Sequence, residues 1–258
     1  MDTLLEVREV VAGYGPHEVL RAVSFAVREG ELWAVLGPNG AGKSTLLRAL
    51  AGLLPLRGGE VALAGRALRS YGRRELAQTV AWVPQATEAE SGFTGLELAL
   101  LGRSPHLGFG GLPSGGDVAR ARAALEEMGV GHLAARSTAE VSGGERRLFW
   151  LARALVQSPR VLFLDEPTAF LDVRHQVRSL ERVRAYVTKG AAAVAVLHDV
   201  NLAAAFADQV VLLREGKVLA QGEARKVLTG ELLEELFDVP MTGADAPGGQ
   251  RLFAPRSE

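Results

Sequence analysis

The stretch Gly37–Thr45, GPNGAGKST, sets glycines at 37, 40 and 42 ahead of a lysine and two hydroxyls. It fits G-x-x-x-x-G-K-[ST], a loop whose backbone N–H groups wrap phosphates. Lys43 then reaches the β- and γ-phosphates, and Ser44 offers its hydroxyl to Mg²⁺. An apolar run, ELWAVLG, precedes the loop, and the helix-forming KSTLLRALAGLL follows it, stopping near Pro55. The positive end of that helix adds to the attraction for an anion. Gly37, Pro38, Asn39, Gly40, Ala41, Gly42, Lys43, Ser44 and Thr45 are therefore candidate nucleotide ligands, with Lys43 also a catalytic candidate. An ordinary glycine turn is the plain alternative, and the strand-before, helix-after context weighs against it.

Further candidates sit downstream. VLFLDEP ends an apolar run in two carboxylates, Asp165 and Glu166. A buried strand would present both at its C-terminal end, where open α/β sheets bind ligands. Asp165 suits a metal shell, and Glu166 suits orienting or deprotonating a water. His198, in LHDVN, could donate to a γ-phosphate, although a lone strand-end histidine is more often structural. Gln85, after AWVP, could ligate Mg²⁺ or the attacking water, although an isolated glutamine usually does neither. VSGGERRLFW, residues 141–150, is a second turn suited to phosphate. Its Ser142-x-x-Glu145 spacing predicts a capping box.

These residues need elements to hold them. LLEVREVVAGY and VLRAVSFAVREG alternate in the strand period, and GGEVALAGRAL and TVAWVPQ are further strands. From about 87 to 158 the chain favours helices: LELALLG, DVARARAALEEMG and GGERRLFWLARALVQ, with RSPHLGFGGLPSGGD read as a loop between the first two. RVLFLDEP and AAAVAVLHD are strands separated by the helical VRHQVRSLERVRAYV, the order of a βαβ crossover. DQVVLLREGKVLAQG reads as a hairpin turning at Glu215-Gly216. The tail after Pro240 is expected to hold at most one short strand.

Composition narrows the classes. The chain has 258 residues, a formal charge of -1 and no cysteine. The last excludes disulfides, thiolate zinc sites and a cysteine nucleophile. Near-neutrality gives no support to a nucleic-acid binder relying on a basic face. MDTLLEVREV lacks a signal-peptide core, and no apolar run reaches 18 residues. A soluble, cytoplasmic chain is therefore expected, its membrane link passing through a partner.

Taken in order, these motifs resemble the ATP-binding subunit of an ABC transporter along essentially the whole chain. Tyr14, in AGYG, matches the aromatic residue that stacks on adenine. Gly37–Thr45 matches Walker A, Gln85 the Q-loop, and Ser142-Gly143-Gly144 the signature. Val161–Asp165 matches Walker B with Glu166 as catalytic base, Asp172 in TAFLD the D-loop, and His198 the switch histidine. Val141, Glu145, Arg147 and Leu148 depart from the usual Leu-Ser-Gly-Gly-Gln and following Gln-Arg.

The resemblance implies an α/β fold: a phosphate-loop NTPase core of mixed sheet flanked by helices, an N-terminal antiparallel β subdomain and an inserted helical subdomain. Residues 1–258 would form one ABC ATPase domain, with the core over 1–86 and 159–239, the helical subdomain over 87–158 and a tail over 240–258. It implies ATP and Mg²⁺ as cofactors, with Ser44, Gln85 and Asp165 on the metal. It also implies a head-to-tail homodimer in which Ser142-Gly143-Gly144 of one copy cover the ATP held by Lys43 of the other. Further implied partners are a transmembrane permease dimer, indirectly an extracytoplasmic substrate-binding protein, and no nucleic acid. The place would be peripheral, at the cytoplasmic face of the membrane.

RRELAQTVAWVPQ, LGRSPHLG and LHDVNLAAAFADQVVLLREGKVLAQG resemble importers of iron-siderophores, haem and vitamin B12, and residues of about 86 to 110 would meet the permease. The alternatives are a DNA-repair or SMC-like ATPase, a translation-type ABC ATPase and a small-molecule kinase. The first needs sustained heptads, the second usually two nucleotide cores, and the third has no use for the Ser-Gly-Gly turn.

Overall fold

In the computed structural model, residues 2–85, 92–108, 110–246 and 251–256 are described. Strands β1 (Thr3–Tyr14) and β2 (His17–Arg28) form an antiparallel hairpin closed at Tyr14↔His17. Strand β3 (Leu32–Leu36) is buried at every position, as its unbroken apolar run requires of a strand covered on both faces. Helix α1 (Lys43–Leu50) ends before the expected Pro55. Gly52, at φ 73°, turns the chain, and the N–H groups of Leu53 and Leu54 both donate to Arg48 O, a left-handed C-terminal cap.

Strands β4 (Gly58–Leu63) and β5 (Arg66–Ala67) follow, then α2 (Arg73–Thr79) and β6 (Val80–Val83). A helical stretch holds α3 (Gly95–Leu100), α4 (Gly115–Met128) and α5 (Gly143–Val156). Strand β7 (Val161–Asp165), α6 (Val173–Val187), β8 (Ala192–Val196) and α7 (Val200–Phe206) come next. The chain closes with β9 (Gln209–Arg214), β10 (Lys217–Glu223), α8 (Ala224–Val227), α9 (Gly230–Phe237), β11 (Met241–Asp245) and β12 (Arg251–Pro255).

The chain forms two compact units: Met1–Ser70 with Ala192–Glu258, and Tyr71–Ala191. The first carries an antiparallel sheet in the order β2-β1-β4-β5 and a mixed one in the order β10-β9-β3-β8. In the latter, β3 runs parallel to both β8 and β9, while β10 is antiparallel to β9. The β9–β10 turn is the expected two-residue one, with Glu215 at φ 50° and Gly216 at φ 77°, the twist-matched hairpin geometry. Gly216 N–H donates to Ala41 O at 3.0 Å and its carbonyl accepts from Arg21 N–H at 2.8 Å. The turn thus ties the glycine loop to β2.

The tail differs from expectation: β11 and β12 pair antiparallel from Met241↔Pro255 to Asp245↔Arg251. Phe253 is buried, and the Asn201 side chain bonds both its N–H (2.7 Å) and its carbonyl (3.1 Å). A partner about fifty residues away in sequence stabilises β12, so no local pattern announces it.

The second unit places the parallel pair β6–β7 with α2 to α6. Helix α5 buries Leu148, Phe149, Leu151 and Ala152. A Cβ on Gly95 would lie 2.7 Å from the Phe149 ring, so α3 crosses α5 at close approach. A 3₁₀ turn over Leu101–His106 takes in the last two residues of the expected helix and Arg103–His106 of the expected loop. Arg103 pairs with Asp117 at 2.8 Å and donates to Val156 O, while His106 Nε2 meets Gln157 O at 2.8 Å. Arg74 and Gln78 donate to Pro105 O. These bonds order a segment whose own sequence looks like a turn. Of the stretch expected to meet a permease, residues 86–91 and 109 lie outside the described residues.

Candidate functional site

The glycine loop leaves the C-terminal end of β3. A Cβ at Gly37 would stand 2.1 Å from Leu213 O on β9, so the loop begins where only glycine fits. Gly40 and Gly42 sit at φ 82° and 101°, left-handed values that glycine alone adopts freely. Helix α1 starts at Lys43 with Gly42 as N-cap, no side-chain cap and no acidic residue in its first turn. Its positive end is thus not neutralised by an acidic side chain of that turn, and a phosphate suits it. Lys43 is buried and donates from Nζ to Gly37 O (2.8 Å) and Pro38 O (2.9 Å). The ammonium lies folded over the loop that it would share with phosphate. Ser44 is half-buried and Thr45 buried.

Tyr14 ends β1 in the same unit with 44% of its surface exposed, and its hydroxyl accepts from Arg48 Nη1 of α1 at 3.1 Å. The Arg57 guanidinium donates to Gly15 O beside it. His198, exposed, follows β8. Asp199 caps α7 through Asn201 N–H (2.7 Å) and Leu202 N–H (3.2 Å), which fixes the backbone just after the histidine.

The second unit holds the remaining candidates. β7 delivers Asp165 almost fully buried. Glu166 follows at φ 52°, directly before Pro167. A non-glycine residue held there costs of order 1 kcal/mol or more, a strain that clusters at functional sites. The pairing Val83↔Leu164 puts the ends of β6 and β7 side by side, and Gln85 Nε2 donates to Glu166 Oε1 at 2.8 Å. Two residues 81 positions apart in the chain therefore meet at one sheet edge.

Ser142 is the N-cap of α5 in the expected capping box. Its hydroxyl accepts from Glu145 N–H at 3.2 Å, while Ser142 N–H and Oγ each donate to Glu145 Oε2 at 2.8 Å. Those two bonds hold the Glu145 carboxyl below the usual glutamate range. Gly143 and Gly144 open the helix, and a Cβ on Gly144 would stand 3.0 Å from Phe170 O. Asp172 caps α6: its Oδ1 accepts from His175 N–H at 2.8 Å and meets His175 Nδ1 at 2.9 Å, which lowers its pKa.

Two residues escaped the sequence reading. Arg48 holds Tyr14, and its exposed place near the end of α1 gave no hint. Arg147 departs in sequence from the usual motif, and it is 1% exposed on the apolar face of α5. A cation on that face was the available signal.

A glycine loop between a buried parallel strand and a helix, with a carboxylate pair ending another buried strand, defines a phosphate-loop nucleotide-binding ATPase. The sequence profile of the ABC transporter family matches residues 20–169, and the chain belongs to that family. It is 42% identical over 251 residues to the hemin import ATP-binding protein of Myxococcus xanthus (strain DK1622), covering 95% of this chain and 93% of that one. It is 35% identical over 237 residues to the iron(3+)-hydroxamate import ATP-binding protein of Bacillus subtilis (strain 168), covering 91% and 88%. An inward-facing structure of a metal-chelate type ABC transporter superposes with a TM-score of 0.85 at 29% identity, covering 100% of this chain and 99% of that one. As a family member the chain binds and hydrolyses ATP. None of its described helices is long and apolar enough to cross a membrane.

Proposed function

We propose that this ATPase powers import of an iron-siderophore, haem or cobalamin-type cargo through a separate membrane permease. The observation that carries the reading is the 42% identity with a hemin import ATP-binding protein over 95% of the chain. The longest described helix, α6, has 15 residues, far short of the coiled-coil arm that an SMC-like ATPase needs.

In this reading Gly37–Thr45 hold the phosphates, Lys43 neutralises the β- and γ-phosphate charge, and Tyr14 stacks on adenine. Ser44, Gln85 and Asp165 serve Mg²⁺. One buried carboxylate with a hydroxyl and a carboxamide fits that ion, which takes few protein ligands beside waters and phosphate oxygens; bound there, Mg²⁺ would neutralise charge that develops on the phosphates. Glu166 accepts the proton of the attacking water, and Gln85 orients that carboxylate. His198 donates to the γ-phosphate. Ser142-Gly143-Gly144 cover the ATP of a second, head-to-tail copy, and Asp172 acts at the same interface. The permease dimer recruits the protein to the cytoplasmic face of the membrane, and an extracytoplasmic substrate-binding protein supplies the cargo.

The test is reconstitution. Tagged chain should co-purify with the polytopic membrane protein encoded beside it. The pair in proteoliposomes should take up radiolabelled haem, ferric siderophore or cobalamin only with ATP. An active ATPase complex that moves none of the three would overturn the cargo class.

A further inference from the structure

Helix α5 carries the largest fully buried side chain among the described residues, Arg147. Burying a cation is costly unless it is paired or hydrogen-bonded, yet no carboxylate among the described residues lies within ion-pair distance of it. Its donors go to main-chain carbonyls instead. Nη1 donates to Pro84 O at 2.6 Å and more weakly to Asp165 O at 3.4 Å, and Nη2 donates to Gln85 O. Nε has no partner among the described residues. Burial lowers the pKa of the guanidinium, while Glu166 and Asp165 favour its charge.

The carbonyls it grips belong to the two strand ends that carry Gln85 and Glu166. The helix that supplies it is capped by Ser142 and opens with Gly143-Gly144, and Arg147 lies about one turn further along it. A planar fork with several donors can hold carbonyls from two segments at once, whereas an ammonium acts as a point charge.

We propose that Arg147 is a positioning residue for ATP hydrolysis: it locks the Pro84–Gln85 and Asp165–Glu166 backbones together, sets the Gln85–Glu166 hydrogen bond, and ties that pair to the start of α5. The inference rests on Glu166 acting as the base. A displacement of the signature helix then passes through one guanidinium to the pair that handles the water. Small misplacement of a reacting group costs on the order of 10²-fold in rate, which makes such a clamp consequential.

The experiment compares Arg147→Lys and Arg147→Gln with the parent full chain. Each is first checked for a cooperative urea transition, and the glutamine variant, neutral and retaining two donors, is read if the lysine variant does not fold. Expected is a fall in kcat of about 10²-fold with nucleotide affinity, measured by calorimetry, within about 2-fold of the parent. In a Gln85→Ala background the same substitution should cost less than about 3-fold more, because the Gln85–Glu166 hydrogen bond that it sets is already gone. A folded variant with parental kcat would overturn the proposal, as would a full, additive loss in the Gln85→Ala background. Glu166→Gln is assayed beside them. Parental turnover there would overturn the base assignment alone, whereas a failed cycle with an inactive Glu166→Gln would overturn only the role of Arg147.

Discussion

Gln85 Nε2 donates a 2.8 Å hydrogen bond to Glu166 Oε1 at the adjoining ends of β6 and β7. The carboxamide occupies one lone pair of Oε1. Glu166 is also held at φ 52°, so its side chain is aimed by the backbone as well as by its neighbour.

Replacing that carboxylate removes the proton acceptor while keeping shape. Glu166→Gln should bind ATP like the parent and hydrolyse it about 10²- to 10⁴-fold more slowly. It should also elute as an ATP-dependent dimer in size-exclusion chromatography. Multi-turnover phosphate release near the parental rate would contradict the assignment.

Lys43 bonds Gly37 O and Pro38 O within the loop. Lys43→Ala removes the ammonium that would meet the phosphates, and charge-assisted hydrogen bonds are worth about 1.5–3 kcal/mol. Calorimetry should report an ATP affinity lower by roughly one to two orders of magnitude. An unchanged affinity would count against the loop as phosphate site.

Tyr14 presents an exposed ring anchored at its hydroxyl by Arg48. Base–aromatic stacking is worth about 1–3 kcal/mol per base, so Tyr14→Ala should weaken ATP binding by about 10-fold or more. Tyr14→Phe keeps the ring and should bind ATP almost as the parent does. Equal losses in both variants would mean that the hydroxyl contact, and not stacking, is what matters.

Asp117 accepts from the Ser114 hydroxyl and N–H and from Arg103, which hold its carboxyl down at about 2. A folded-state value below the ordinary one stabilises the fold above the ordinary carboxylate range, and that contribution is lost as pH falls toward the folded value. Asp117→Asn should therefore lower the urea midpoint at neutral pH, and its deficit should shrink as pH is lowered toward about 2. A deficit independent of pH would mean that the carboxylate charge contributes nothing.

Much of the architecture was legible because the responsible forces are local. The bounds of α6, Val173–Val187, follow from one amphipathic stretch opened by the Asp172 cap. The Glu215-Gly216 turn follows from the left-handed freedom that two-residue hairpins demand, and the α5 capping box from a spacing of three residues. The Leu101–His106 turn and the β11–β12 hairpin were not legible. Their order comes from Asp117, Gln157, Arg74 and Gln78 in one case and from Asn201 in the other, all far away in sequence.

The sequence by itself determined the phosphate loop, the order of its companion motifs and the family, because glycine placement and strand–loop–helix order are written along the chain. Only the tertiary structure decided that Gln85 bonds Glu166, that Arg48 anchors Tyr14, and that Arg147 grips the carbonyls of Pro84 and Gln85. Such bonds depend on which strand ends and helix faces pack together. That choice is made by burial of whole apolar faces, which no short stretch of residues specifies.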